Sequence, residues 1–237
     1  LPGELVFGAD SHTCTGGALG AFSTGVGSTD LAAVWALGES WLFVPPTVRV
    51  LFFGRRSPWI TGKDLVLALL GRLGTQGARY KAFQFEGEAL ADLPMDDRFT
   101  ISNMAVEGGA KAGLFVPDEA TLAYAKARAT RPFNPLYPDD GASYDKTVEI
   151  DVTSLEPQVA FPHSPANVRP VSAAPDVAVD QVFIGSCTNG RLRDMALAAR
   201  ILEGRQVKDG LRCIVIPASY EVWTCLLYTS PSPRDRT

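Results

Sequence analysis

The chain is poor in the residues that most directly carry redox and metal chemistry. It has four cysteines, two histidines and three methionines in 237 residues. Cys14, Cys187, Cys213 and Cys225 are spread too widely for a disulfide framework, and no C-x-x-C occurs. A reduced, cytoplasmic compartment with individual thiols is the expectation. No apolar run approaches the roughly 18–20 residues of a membrane span, so no membrane partner is expected. No basic excess is present either: 22 Lys and Arg face 26 Asp and Glu, which argues against a nucleic-acid partner. The run Gly16-Gly17-Ala18-Leu19-Gly20 fails the G-x-G-x-x-G spacing of a dinucleotide loop. The chain has no initiating Met and no charged leader, and reads as cut at its start.

What is present is an ordinary folding composition, 46% hydrophobic and 20% charged. Glu4–Gly8 reads as a buried strand, followed by a Gly-, Ser- and Thr-rich stretch over Asp10–Gly27. Asp30–Leu42 carries a helical apolar repeat that Pro45-Pro46 is expected to stop. Thr47–Phe53 and Ala82–Glu86 read as strands, and Thr61 is placed to cap a helix through Leu73. Met95–Ala112 reads as helical until Gly108-Gly109, Leu114–Pro117 as a short strand and Glu119–Ala129 as a helix. Pro132–Asp145 reads as loop, and Thr147–Val152 as a half-buried strand. Pro157–Pro175, with five prolines and no periodicity, reads as a linker. Gln181–Gly185 and Arg212–Ile216 read as buried strands around a helix at Leu192–Leu202, a strand–helix–strand order that implies parallel pairing. Leu226–Thr237 drops the pattern; residues 224–237 are expected to be a tail, disordered or of translated cloning origin.

Two short motifs carry chemistry. Ser186-Cys187-Thr188-Asn189-Gly190-Arg191 places a thiol where a strand ends and a helix begins. Ligands gather at such strand ends, and a helix N-terminus favours a thiolate. A buried structural cysteine and a nucleophilic thiol remain open beside that reading, though a nucleophile wants a partner histidine, and only His12 and His163 exist. Asp10-Ser11-His12-Thr13 leaves the end of another strand beside glycines, a group able to bind a polyanion and move protons. Equally, Asp10 could cap the next turn, with His12 a satisfied loop histidine.

The two motifs, with Asn103-Met104-Ala105-Val106-Glu107 between them, resemble in kind and order the D-S-H-T, N-M-x-x-E and G-S-C-T-N segments of the aconitase superfamily. The similarity runs from about Glu4 to Trp223. Pro162-His163-Ser164-Pro165, Ser186–Arg191 and Ile216-Pro217-Ala218-Ser219 look like its isopropylmalate and homoaconitate branch.

That resemblance implies an α/β fold of three-layer α/β/α subdomains with largely parallel sheets, incomplete at both ends. Residues 1–46 would end a first subdomain, 47–156 form a second, 157–179 link, and 180–223 begin a third. It implies a hydro-lyase that isomerises 2-isopropylmalate to 3-isopropylmalate by dehydration and rehydration, in leucine biosynthesis. Homoaconitase and methylmalate or citraconate hydratase are the neighbouring alternatives, and a small hydroxy-di- or tricarboxylate is the implied substrate class. Cys187 matches the first of three thiolates of a [4Fe–4S] cluster, whose open iron acts as a Lewis acid. His12 and Glu107 match a paired acid, which should lie within hydrogen-bond reach and on the same cleft as Cys187. Asp10, Ser11, His12 and Asn103 match substrate-binding positions, Asn103 near the cluster, and Asp10 is counted with His12 and Glu107 among the catalytic residues. The proton-abstracting base belongs in this branch to a separate small, swivelling subunit. The other two cluster cysteines are absent, and Cys14 does not match a ligand position, so this polypeptide alone is expected to be inactive. A non-catalytic α/β module with structural cysteines, and a thiol enzyme built on Cys187, are the rivals from other classes.

Overall fold

The structure, a computed structural model, describes residues 1–229, with side chains to Leu227. The chain divides into two compact units, Leu1–Ala174 and a second beginning at Pro175. In the first, β1 (Leu5–Gly8) and β2 (Phe22–Gly25) pair in parallel, joined by a 3-10 helix over Ser11–Leu19. Helix α1 spans Ser28–Leu37. It ends five residues before the Leu42 expected from the apolar repeat, because Gly38 adopts a left-handed conformation and its N–H caps the Val34 carbonyl.

A four-stranded parallel sheet follows. Its strands are β3 (Thr47–Phe53), β4 (Ala82–Glu86), β5 (Ala112–Phe115) and β6 (Lys146–Asp151), in the order β5-β4-β3-β6. The β-branched and aromatic run of β3 alternates: Val48, Val50 and Phe52 are buried, and the residues between them less so. The buried face meets Leu65, Leu69 and Leu70 of helix α2 (Gly62–Leu73) and Ile101 of helix α3 (Met95–Asn103). Each such side chain contributes roughly 1.5–3 kcal/mol of burial. Helix α4 (Glu119–Lys126) precedes the loop into β6.

Two local devices fix the helices. Thr61 begins α2 through a capping box in which the Asp64 carboxylate accepts the Thr61 N–H at 2.8 Å. At α4, the Asp118 side chain caps the first turn and also accepts both terminal nitrogens of Arg98 at 2.7 Å. Arg98 is 2% exposed, and its remaining donors reach Leu90 O, Leu93 O and Thr121 Oγ1. Burial pushes the Asp118 carboxyl up, but the Arg98 hydrogen bonds and the Thr121 N–H outweigh it and hold the group below its ordinary value.

Three further expectations are corrected. The helix expected over Met95–Ala112 stops at Asn103; a 3-10 turn over Met104–Gly108 replaces it, closed by left-handed Gly109. The proline-rich stretch is not wholly irregular. Strands β7 (Gln158–Ala160) and β8 (Val168–Pro170) form an antiparallel pair against α2, where Asp64 Oδ1 accepts the Gln158 N–H at 2.8 Å. Apolar periodicity could not signal so short a hairpin.

The third concerns the second unit, where β9 (Gln181–Gly185) and β10 (Arg212–Ile216) pair in parallel as expected but are not buried. Phe183, Val215 and Ile216 are about half exposed, since two strands offer no complete second layer. Helices α5 (Ser186–Asn189) and α6 (Leu192–Leu202) lie between these strands. A last helix, α7 (Tyr220–Thr229), runs into the segment expected to be tail; the rest of that segment, residues 230–237, lies outside the described residues. No helix among the described residues is long and apolar enough to cross a membrane.

Candidate active site

The Asp10–His12 motif leaves the end of β1 and enters the 3-10 helix at once. Asp10 is the cap: its carboxylate accepts the His12 N–H at 2.6 Å, and its carbonyl accepts the Thr13 hydroxyl at 2.6 Å. The segment then packs almost without side chains. A Cβ on Gly25 would stand 2.6 Å from the Asp10 carbonyl oxygen, and one on Gly17 only 1.9 Å from that of Gly113. Glycine is required at both positions by close backbone approach rather than by conformational freedom.

These contacts turn His12 toward the 3-10 turn that follows α3. His12 Nε2 lies 3.6 Å from Glu107 Oε1, just beyond hydrogen-bond length. On its other side, Nδ1 lies 3.2 Å from Ser11 Oγ and 3.6 Å from Asp10 Oδ1. The imidazole thus stands between two carboxylates 97 positions apart in sequence, each partly open to solvent. An imidazole flanked in this way can hold, give and regain a proton beside a bound molecule.

Asn103 is buried, unlike the side chains of Asp10, His12 and Glu107. It is 1% exposed, and its amide donates to Thr15 Oγ1 at 2.8 Å. Thr15 Oγ1 donates in turn to the His12 carbonyl at 2.6 Å. Cys14, fully buried, donates its thiol to the Asn103 carbonyl at 3.4 Å. Burial pushes that thiol up to about 11, so it is protonated at neutral pH and is neither nucleophile nor ready ligand.

Beside Ser11 a cleft of about 290 Å³ opens, lined also by Thr24, Gly25, Arg79, Tyr80 and Lys111. Sequence reasoning did not find it, because Arg79 and Lys111 precede strands β4 and β5, far from any motif. Thr24 is buried, with no partner for its hydroxyl among the described residues.

In the second unit, Cys187 follows β9 on the first turn of α5 and is exposed. The turn is tight. Gly185 has φ 141°, a Cβ there would meet the Ile216 carbonyl oxygen at 1.9 Å, and Ser186 is held at φ 93°. Cys213 pairs with Val182 in the β9–β10 ladder, three residues before the end of β9. Among the described residues no group of three or more His, Cys, Asp or Glu could hold a metal ion. One exposed thiol does not by itself supply the three thiolates that a four-iron cluster of this kind uses.

A family model described as "Aconitase family (aconitate hydratase)" matches residues 1–176 and 172–226. Curated relatives named "3-isopropylmalate dehydratase large subunit" are similar across most of the chain. Those of Halothermothrix orenii and Syntrophus aciditrophicus are 54% and 55% identical over 223 residues, 94% of this chain and 53% of each relative. That of Aquifex aeolicus is 50% identical over 228 residues, again 94% of this chain and 53% of the relative. The chain spans about half the length of the curated relatives it matches.

Proposed function

Because this chain belongs to the aconitase family, we propose that it is about half of the large subunit of a hydro-lyase that isomerises 2-isopropylmalate to 3-isopropylmalate in leucine biosynthesis. The observation that carries this reading is the His12–Glu107 pair, Nε2 to Oε1 3.6 Å, assembled from two motifs far apart in sequence. Identity of 50–55% to relatives of that name supports the choice of substrate over homoaconitate and citraconate.

In this reading the substrate binds near Asp10 and Ser11. The His12–Glu107 pair holds one proton and hands it to the departing hydroxyl, which leaves as water. Glu107, facing Nε2, stabilises the imidazolium whenever the proton rests there. On rehydration the pair takes a proton back from water as the hydroxyl returns to the neighbouring carbon. The carbon-bound proton is removed by a base on a separate small subunit, the partner that the relatives' designation "large subunit" supports.

Cys187 would be one of three thiolates holding a [4Fe–4S] cluster, the other two coming from the rest of the large subunit. When bound, that cluster would supply a Lewis acid for the substrate hydroxyl and carboxylate. Residues 1–46 close a first subdomain, 47–156 form a second that carries the β7–β8 pair with it, and 180–223 open a third. The enzyme works in the cytoplasm.

The test is anaerobic reconstitution of the full-length subunit with iron and sulfide, addition of the small subunit, and absorbance of the unsaturated intermediate. Turnover lost on Cys187→Ser supports the reading. A full-length protein that takes up iron and sulfide but never forms the intermediate sinks it. The same assay on this chain alone should stay at the blank.

A further inference from the structure

We propose that Thr15 is a positioning residue for the His12–Glu107 pair, working through Asn103; this rests on the hydro-lyase reading only for its catalytic consequence. Its hydroxyl is used twice. It donates to the His12 carbonyl at 2.6 Å and accepts from Asn103 Nδ2 at 2.8 Å. A hydroxyl can donate to one segment and accept from the other through a single atom.

The placement of the two partners gives the bond its meaning. His12 lies on the 3-10 helix after β1, three residues before Thr15. Asn103 is the last residue of α3, and the turn bearing Glu107 begins at the next residue. The hydroxyl therefore ties the backbone carbonyl under the imidazole to the side chain of the residue from which the carboxylate-bearing turn departs. Cys14 adds a second tie to the same residue, its thiol donating to the Asn103 carbonyl at 3.4 Å. A sulfur donor is weak, so the Thr15 bonds are the stronger of the two hydrogen-bonded ties between the segments. Asn103, 1% exposed, acts here from beneath the site rather than on a bound molecule.

Thr15→Val keeps the shape and removes both bonds; Thr15→Ser keeps both bonds and loses a methyl. The first measurement uses this chain, in which only His12 and His163 contribute imidazole signals. Overhauser contacts between the His12 ring and the Glu107 side chain should be present in the parent sequence and in Thr15→Ser, and lost in Thr15→Val. The amide spectrum of β3–β6 should be unchanged in all three. If Thr15→Val does not fold, Thr15→Ser against Thr15→Ala gives the same comparison.

The second measurement is made in the full-length subunit with its partner. There kcat should fall on the order of 10- to 100-fold in Thr15→Val with KM unchanged, and return in Thr15→Ser. Contacts that persist in a folded Thr15→Val, contacts missing from the parent sequence, or a Thr15→Ser as impaired as Thr15→Val would each overturn the proposal. A full-length protein without hydro-lyase turnover, in which the Overhauser contacts still follow the hydroxyl, would remove the functional reading and leave the positioning role standing.

Discussion

Gly17 rests against the backbone of Gly113 so closely that a Cβ on Gly17 would fall 1.9 Å from the Gly113 carbonyl oxygen. The first belongs to the 3-10 helix bearing His12, the second to β5, so this contact seats the histidine segment on the sheet unit.

Gly17→Ala should therefore act on the site and on stability together. The methyl has no room, and overpacking of this kind costs roughly 1–3 kcal/mol. Urea unfolding of this chain should show a lower midpoint. The His12 ring signals should shift in the folded state, because the segment must lift. An unchanged midpoint with unchanged ring signals would mean that the contact is looser than described.

Asp118→Asn should destabilise the first unit by about 1.5–3 kcal/mol, the worth of charge-assisted hydrogen bonds to a buried guanidinium. The pH dependence has a definite sign. The folded-state carboxyl lies below its ordinary 3.8, so its contribution is complete above the unfolded value and is lost as pH falls through the folded one. Thermal melts from pH 6 downward should show parent and Asp118→Asn converging only at the acid end.

The two motif cysteines should part company under alkylation. Cys187 is exposed and should be modified by iodoacetamide at pH 8 in the folded chain. Cys14 is sealed and raised to about 11 from 9.0, and should react only after denaturation. The same shift predicts that the protonated thiol's contribution to stability is full below 9 and lost as pH rises toward 11. Peptide mass spectrometry reads the first statement, and equal labelling of both cysteines would contradict it.

The sequence was most informative where a local rule and a tertiary one agree. The β-branched run Thr47–Phe53 is a strand, and its alternation matches its burial. Thr61 stands at the start of α2, where its sequence context put a cap. Asp10, Ser11, His12 and Glu107 were singled out from motif order, and the fold brings them together. What stayed hidden was decided by contact across sequence. Thr15 and Cys14 carry no local sign that they meet Asn103. Arg79 and Lys111 border a cleft only because β4 and β5 are neighbours. The β7–β8 pair is too short for apolar periodicity, and packs where Gly71 of α2 leaves space for Val168.

The central claim is that His12 and Glu107 work as one acid. A double-mutant cycle on kcat in the full-length subunit, assembled with its small subunit, tests it most directly. Each of His12→Gln and Glu107→Gln should lower kcat by about 10²- to 10⁴-fold, the usual worth of a positioned acid. The double variant should be no worse than the poorer single one, because a pair that shares one proton is disabled by either loss. Losses that multiply in the double variant would mean that the two side chains act separately, and would contradict the account.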